Sequence, residues 1–269
     1  MTSIVAAVQM TAGFDADANL AKALGYVHQA ADAGAKLVVL PEMFLCMDGK
    51  QYAQIAASHE WLAPLESVCK ERSIWLVAGA VPQPSPDPEE TRVRSASLVI
   101  NEQGEVVGRY DKIHLFDVDV ADAQGAYRES RRFQPGTNVV VIDSPVGKLG
   151  LSICYDVRFP ELYRQLREQG AELILVPAAF THRTGAAHWE VLLRARAIET
   201  QTFVLACNQC GWHDEQRQTW GHSMLVDPWG AVLECMEEEE GIMIAELDKD
   251  GLDSVRAAMP VMNHRRLSC

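Results

Sequence analysis

The sequence feature that most constrains the fold is a stretch of eleven residues that occurs twice. The segment GAKLVVLPEMF at positions 34–44 aligns without gaps on GAELILVPAAF at positions 170–180. Each copy predicts a buried strand that follows a helix-ending glycine. A true duplication predicts two similar α/β halves related by a pseudo-twofold axis, whereas a chance similarity of two strand ends does not. Glu42 in the first copy corresponds to Ala178 in the second, so this strand end does not itself require a carboxylate.

Apolar runs alternate with amphipathic stretches along the whole chain, which predicts an α/β fold. A helix is expected at residues 18–33, with Asp17 as N-cap and Gly34 as the closing residue. Residues 82–90 are rich in proline and predict a surface loop, because proline has no amide donor for a sheet. Strands are predicted at residues 3–9, 36–40, 74–80, 93–100, 105–110, 138–143, 148–154, 172–176, 203–207, 221–227, 231–236 and 241–247, and further helices at 61–72, 161–168, 188–201 and 250–258.

Length, charge and cysteine content limit the functional class. With 269 residues we expect one domain over 1–269, large enough to fold without a disulfide or metal. The formal net charge of −13 opposes binding to nucleic-acid phosphates and to anionic membranes. No apolar run approaches the ~20 residues that span a bilayer, and the N-terminal segment lacks the basic region of a signal peptide. Seven scattered cysteines favour reduced thiols in a cytoplasmic protein over a disulfide framework.

Three residues at predicted strand ends could carry chemistry. Glu42 follows an apolar strand and a proline, where it could act as a general base or simply reach solvent. Cys154 ends a strand and precedes a polar turn and a helix, an order similar to a nucleophile elbow but without the G-x-S-x-G motif. It could be a reactive thiolate beside backbone N–H groups or an inert buried thiol. Lys112 directly follows another strand and could be an ordinary solvated lysine.

The order of these residues and the segments around them resemble the nitrilase superfamily of carbon-nitrogen hydrolases. The similar segments are PEMF at 41–44, YDKIHLFD at 110–117, CYDVRFPEL at 154–162, HWEVLLRARAIETQ at 188–201 and GHSMLVDPWG at 221–230. The resemblance covers essentially the whole chain. It implies an α-β-β-α four-layer sandwich, with two mixed β-sheets face to face and helices outside. It also implies a homodimer or higher homo-oligomer, no metal and no organic cofactor.

The resemblance also implies a role for each site residue. Glu42 is expected to take the proton of Cys154, whose thiolate attacks an amide carbonyl. Lys112 and the N–H of Tyr155 are expected to hold the resulting oxyanion. Glu129 matches the family's second glutamate and is expected to orient Lys112 or the substrate amine through charge-assisted hydrogen bonds.

Four segments resemble the Nit branch of the superfamily: YDKIHLFDVDV at 110–120, YRES at 127–130, CNQCGWHDEQRQTWGHSMLVDPWG at 207–230 and AMPVMNHRRL at 258–267. This resemblance implies an amidase that acts on a small anionic amide and releases ammonia or an amine. The deaminated glutathione amidases are favoured over the ω-amidases that act on 2-oxoglutaramate. An N-carbamoyl amide hydrolase, a nitrilase and a non-catalytic interaction protein on this scaffold stay open as alternatives. Substrate binding is expected from Tyr155, Arg158 and Arg183, and candidates for a wider group of cations are Arg128, Arg131 and Arg132. Any one of these arginines could instead form an ordinary surface ion pair.

Two further signals carry no functional prediction. Cys207 and Cys210 form a lone C-x-x-C, with His213 three residues later. A structural zinc site needs four ligands and no second pair has suitable spacing, so no metal site is predicted. The acidic run at residues 237–240 is predicted to be a solvated loop.

Overall fold

The computed structural model describes residues 2–267, so Cys269, one of the seven cysteines of the sequence, lies outside the described residues. The other six cysteines are free thiols. The strands are β1 Thr2–Gln9, β2 Leu37–Val39, β3 Trp75–Gln83, β4 Arg94–Ile100, β5 Val106–Asp111, β6 Asp117–Asp119, β7 Ala126–Arg128, β8 Val141–Ser144, β9 Gly147–Leu151, β10 Leu173–Ala178, β11 Phe203–Asn208, β12 Cys210–Trp212, β13 Gln218–Trp220, β14 Met224–Val226, β15 Val232–Cys235 and β16 Gly241–Asp248. The helices are α1 Ala16–Asp32, α2 Tyr52–Ala57, α3 Leu62–Arg72, α4 Pro160–Glu168, α5 His182–Thr200, α6 Lys249–Ala258 and α7 Val261–His264, and short 3-10 turns cover Glu129–Arg131 and Cys154–Arg158.

Two six-stranded sheets carry the same pattern of strand directions. The first has the order β16-β1-β2-β3-β4-β5 and the second the order β8-β9-β10-β11-β14-β15. In each sheet the second, third and fourth strands are parallel, and the outer strands are antiparallel to their neighbours. The short hairpins β6-β7 and β12-β13 stand outside both sheets. The matching order is the arrangement that a pseudo-twofold relation between two halves requires.

The sheets pack face to face, and helices cover their outer faces. Alternate residues of β2 show this arrangement, because Leu37 and Val39 belong to the core between the sheets while Val38 packs with the helices outside. The outer layer of the first sheet contains α1 and α3, and that of the second contains α4 and α5. The four-layer sandwich implied by the resemblance is therefore confirmed. None of the helices within residues 2–267 is long and apolar enough to cross a lipid bilayer.

Two local predictions are wrong for identifiable reasons. Helix α1 begins at Ala16 and is capped by Asp15, whose carboxylate accepts a hydrogen bond from the amide of Ala18, so Asp17 lies in the first turn. Strand β3 continues through Pro82 to Gln83 and so enters the segment predicted to be a loop. Strand β2 pairs with residues 75–77 of β3 alone, so the far end of β3 has a neighbour on one side only. A proline is tolerated there because its missing amide leaves no ladder bond unmade.

The start of helix α5 was also predicted wrongly, at residue 188 instead of His182. Gly185 weakens the helical pattern of this first turn. A Cβ atom at Gly185 would lie 2.3 Å from the Trp220 side chain, so tertiary packing rather than local propensity selects this glycine. Helix α2 and the hairpins β6-β7 and β12-β13 were not predicted, because such short elements carry little periodicity.

Candidate active site

Four of the predicted site residues meet in one cleft of about 540 Å³. Glu42 follows β2, Lys112 follows β5 and Cys154 follows β9, so each lies just beyond a strand end. Glu129 begins the 3-10 turn after β7. Glu42, Lys112 and Cys154 are buried, and the Glu129 side chain is 13% exposed. The first three come from both halves of the chain, so neither half contains the cluster alone.

Lys112 binds both carboxylates. Its Nζ atom lies 2.7 Å from Glu42 Oε1 and 2.9 Å from each carboxylate oxygen of Glu129. Glu129 Oε2 also accepts a hydrogen bond of 2.6 Å from the amide of Phe116. Because all three donors of an ammonium group can be used in this arrangement, the buried charge is paired and its position is fixed.

The Glu42 carboxylate bridges Lys112 and the second half of the chain. Its Oε2 atom accepts a hydrogen bond of 2.9 Å from the amide of Ala179, and its negative charge raises the pKa of the Cys154 thiol in the same cleft. The Glu42 backbone carbonyl accepts a hydrogen bond of 3.0 Å from Gln209 Nε2. Glu42 is therefore placed to exchange a proton with the thiol while its other contacts hold it still.

Cys154 lies on a tight turn that a buried aspartate holds together. Its φ angle of 48° is uncommon for a residue other than glycine. Asp156, which is fully buried, accepts hydrogen bonds from the amide of Ile153 at 2.9 Å and from the Tyr110 hydroxyl at 2.7 Å. It also accepts a bond of 3.0 Å from the amide of His114. Asp156 thus ties the turn at Cys154 to the chain segment that carries Lys112.

Burial and neighbouring charges set the protonation of the cluster. Burial raises the pKa of the Cys154 thiol well above its ordinary value, and the negative charge of Glu42 raises it further against the opposing charge of Lys112. Burial alone lowers the pKa of Lys112, but Glu129, Glu42 and Cys154 outweigh that effect and place it well above the ordinary value. For Glu129, burial raises the pKa, Lys112 lowers it and Glu42 raises it, with a net increase. At neutral pH the lysine is charged and the thiol holds its proton.

Of the predicted substrate-binding residues, Tyr155 lies beside Cys154, and the two arginines lie outside the main cleft. Tyr155 lines a small recess beside Cys154, and its ring packs against Phe116 at 5.0 Å between centroids. The Arg158 guanidinium lies over the Phe180 ring, 5.1 Å from its centroid, and outside the lining of the main cleft. Arg183 is exposed in the first turn of α5 and does not line the cleft either. The binding roles given to these residues stay predictions.

Several residues of the site were missed by the sequence reasoning. Ala179 directly follows Ala178, the counterpart of Glu42 in the second copy of the repeated segment. Comparing the two copies could therefore have indicated that Ala179 lies near the site. No local pattern singled out Gln209, which binds the Glu42 carbonyl, or Tyr52 and Arg217, which line the cleft. The arginines that line the cleft are Arg128, Arg132 and Arg217, of which the first two were among the candidate cations.

The C-x-x-C segment has structural contacts. The Cys207 thiol donates hydrogen bonds to the carbonyls of Val8 at 3.0 Å and Val39 at 3.1 Å, and so links the two sheets. Cys210 Sγ lies 3.6 Å from the Thr11 hydroxyl. Within residues 2–267, no group of three or more His, Cys, Asp or Glu side chains is arranged to hold a metal ion. The acidic run at residues 237–240 is exposed, and Glu240 forms an ion pair of 2.8 Å with Lys22.

The chain is similar to known proteins over nearly its whole length. Residues 4–257 match the family model for carbon-nitrogen hydrolases. A deaminated glutathione amidase of Yersinia enterocolitica is 42% identical over 267 residues, which cover 97% of this chain and 92% of the relative. The crystal structure of the Saccharomyces cerevisiae protein Nit3, a member of branch 10 of the nitrilase superfamily, has a TM-score of 0.88 and 33% identity, with 99% of this chain and 97% of that chain covered.

The NitFhit protein of Caenorhabditis elegans is similar as well. Its crystal structure has a TM-score of 0.91 and 38% identity, and the match covers 98% of this chain and 65% of that one. The predicted resemblance to the nitrilase superfamily is confirmed by the family match and by these relatives. The chain belongs to the carbon-nitrogen hydrolase family and, with its buried glutamate, lysine and cysteine in one cleft, it is a hydrolase of carbon-nitrogen bonds.

Proposed function

We propose that this protein is an amidase that hydrolyses a small anionic amide through a thioester on Cys154, with deaminated glutathione as its favoured substrate. The observation that carries the proposal is that the Glu42 carboxylate, which binds the Lys112 ammonium, and the Cys154 thiol are buried together in one cleft. The choice of substrate rests on the relatives named deaminated glutathione amidase. An ω-amidase acting on 2-oxoglutaramate is the second candidate, because it also needs cations in the cleft.

The first step is acylation of the cysteine. Glu42 accepts the thiol proton, the sulfur forms a bond to the amide carbonyl carbon, and the carbonyl π electrons move to oxygen. Lys112 and the amide of Tyr155 stabilise that oxyanion, and each such donor is typically worth about 10²- to 10³-fold in rate. The carbon-nitrogen bond then breaks, the protonated Glu42 gives its proton to the leaving nitrogen, and a thioester remains.

The charge of the cluster explains why the proton has to stay nearby. Burial and the negative charge of Glu42 both oppose loss of the Cys154 proton to solvent, which is why the pKa of the thiol is raised. Transfer to Glu42 keeps the total charge constant, so the thiolate can form without that electrostatic penalty.

The second step is hydrolysis of the thioester. A water molecule enters the position that the leaving amine has vacated. Glu42 removes a proton from this water as the water oxygen attacks the carbonyl carbon. The same oxyanion donors act again, because the second tetrahedral intermediate has the same charge. The carbon-sulfur bond breaks, the sulfur recovers a proton from Glu42, and the carboxylic acid product leaves.

The proposal is tested by the release of free amine from deaminated glutathione. Wild-type protein is expected to show steady turnover, and Cys154→Ala is expected to reduce kcat by at least about 10⁴-fold because no thioester can form. The matched control is Cys69→Ala, which removes another buried thiol, on α3, away from the cleft. Equal rates for wild type and Cys154→Ala would refute the proposal, and faster turnover of 2-oxoglutaramate would select the second candidate.

We further propose a homodimer or higher homo-oligomer that forms through α5. Val191 and Ile198 on this helix are 68% and 52% exposed, and Trp229 in the β14-β15 turn is 63% exposed. The turn packs on the helix, since Arg194 Nε donates to the Gly230 carbonyl at 2.8 Å. Exposed apolar side chains on a helix and on the turn that packs against it are typical of an interface. Val191→Asp is expected to give monomers by light scattering, whereas Val106→Asp on β5 is expected to leave the assembly unchanged.

A single hydrolase domain in the cytoplasm fits the same features. Both halves of the chain supply cluster residues, which supports one domain over 1–269. A nucleophilic thiol among five other free thiols works best in a reducing compartment, which supports a cytoplasmic location.

A further inference from the structure

The cleft gathers cations although the chain as a whole is strongly acidic. The net charge is −13, yet Lys50, Arg128, Arg132 and Arg217 all line the cleft outside the Glu42-Lys112-Glu129 cluster. The lining carries one further carboxylate there, that of Asp214. A local excess of positive charge in a cleft of this kind favours an anionic ligand.

Arg217 has hydrogen-bonding capacity that the protein does not use. Its Nε atom is buried and has no hydrogen-bond partner, and within residues 2–267 its guanidinium forms neither an ion pair nor a hydrogen bond. The nearby Asp214 carboxylate is committed elsewhere, because its Oδ1 atom accepts bonds of 2.7 Å from the amides of Gln216 and Arg217. A buried charged donor without a partner is unfavourable unless a ligand supplies the acceptor.

Arg132 is the second uncommitted guanidinium of the cleft. Among the described residues its side chain also has no ion pair or hydrogen bond, whereas the neighbouring Arg128 pairs with Asp119 at 2.7 Å. Arg132 lies directly on Gly49, where an added Cβ atom would be 2.7 Å from Arg132 Nε. The absence of a side chain at Gly49 therefore leaves the space that the guanidinium occupies.

The loop that carries Arg217 is held firmly against the rest of the protein. His213 Nδ1 lies 2.8 Å from the Ala12 carbonyl, and its Nε2 atom lies 2.8 Å from the Thr219 hydroxyl. A carbonyl can only accept, so Nδ1 carries the proton and Nε2 accepts from the hydroxyl when the ring is neutral. The β12-β13 hairpin thus presents Arg217 from a fixed position, which reduces the entropy lost on binding.

We infer that Arg132 and Arg217 together bind a carboxylate of the substrate in the outer part of the cleft and so select anionic amides over neutral ones. Both arginines are more exposed than Glu42, Lys112 and Cys154, so they lie nearer the opening. A substrate whose amide reaches Cys154 would extend its carboxylate toward them. Guanidinium groups suit this task because their planar donors match a carboxylate in pairs. The inference rests on the proposed amidase function, since it describes the substrate of that site.

The kinetic test compares Arg217→Gln, Arg132→Gln and Arg217→Lys with wild type on deaminated glutathione and on its neutral dimethyl ester. Loss of either guanidinium is expected to raise KM for the anionic amide about 10- to 100-fold with kcat changed less than about twofold. The ester is expected to show no such change. Arg217→Lys keeps the charge but loses the paired donors, so its KM for the anionic amide is expected to lie between those of wild type and Arg217→Gln. Lys70→Gln, which removes an exposed cation from α3, is the matched control and is expected to behave like wild type.

A binding test separates this inference from the proposed reaction. Calorimetry of deaminated glutathione with Cys154→Ala, and with the same protein carrying Arg217→Gln, measures affinity without turnover. Adding Arg217→Gln is expected to lower the affinity about 10- to 100-fold and to leave the unfolding midpoint unchanged. If wild type turns over the substrate and Arg217→Gln has the same KM as wild type, the inference is overturned and the proposed function is not. A loss of affinity in the absence of any wild-type turnover would support the inference and refute the proposed function.

Discussion

In the first half of the chain, helix α1 ends before Gly34 and β2 follows. In the second half, α4 ends before Gly170 and β10 follows. The two glycines have φ angles of 87° and 94°, and the residues before them have the same backbone conformation. The amide after each glycine donates to a carbonyl five residues earlier, at 3.1 Å in the first half and 3.0 Å in the second. The two helix ends are therefore built in the same way.

The halves differ where the cleft begins. The register of β2 against β1 and of β10 against β9 makes Glu42 the counterpart of Ala178 and Cys154 the counterpart of Met10. Met10 continues along its strand in a bridge with Gln209, whereas the chain at Cys154 leaves its strand in a left-handed turn. The shared framework therefore specifies strand ends but no chemistry, since at these two positions each half supplies one reactive group and one inert residue.

The largest expected effect comes from removing the group that is unique to the first half. Glu42→Gln keeps the size of the side chain but cannot accept the thiol proton, so kcat is expected to fall about 10²- to 10⁴-fold. Steady-state kinetics with an amide substrate measures it. Glu246→Gln, an exposed change on β16, serves as the control and is expected to retain full activity. A Glu42→Gln variant as fast as wild type would break the assignment of different roles to the two strand ends.

A second change places the carboxylate in the other half. Ala178 is fully buried, and the lysine that neutralises Glu42 comes from the first half of the chain. Ala178→Glu is therefore expected to lower the free energy of unfolding by about 3–5 kcal/mol, because an uncompensated charge would be buried. Urea denaturation gives the value, and Ala178→Gln, equal in size but neutral, shows how much of the loss is steric. If the two variants are equally stable, charge compensation is not what distinguishes the halves.

The smallest effect concerns the β12-β13 hairpin, which has no counterpart in the first half. Burial lowers the pKa of His213 from 6.5 to about 4, so the folded protein binds fewer protons than the unfolded chain between these values. The stability that His213 contributes is present in full above pH 6.5 and is lost as the pH falls through 4, by at most about 3 kcal/mol. Urea denaturation across this range is the measurement, and His213→Gln is expected to flatten the decline. An equally steep decline in the variant would assign the effect to other groups.

The repeated segment explains why much of the framework was predictable. Its glycine, apolar run and proline follow from local requirements of a helix end and a buried strand, and both copies are found where they were expected. The cap at Asp15 and the strand residue Pro82 were misjudged, because their roles depend on which amide is free and on which strand edge is paired. Gly185 was missed as a helix residue for a similar reason, since Trp220 packs against it.

The residues of the candidate site also include some that local sequence could predict and one that it could not. Glu42, Lys112, Glu129 and Cys154 could be found because short segments around them resemble a known family, and the structure brings all four to one cleft. Arg217 could not be found, because nothing in its local sequence distinguishes it from other arginines. Its significance comes from a buried Nε atom without a partner, which is a property of the surroundings rather than of the residue.

The α/β class, the strand ends that carry reactive residues and the family could be predicted because they depend on patterns a few residues long. Which charged groups neutralise one another depends instead on how the chain folds. Lys112 is 70 positions from Glu42, and the amide of Ala179 is 137 positions from it. The first contact joins two strand ends of one sheet and the second joins the two sheets, so both follow from the arrangement of the strands and not from local sequence. The low dielectric of the buried cleft then makes these contacts decisive for the charge of each group.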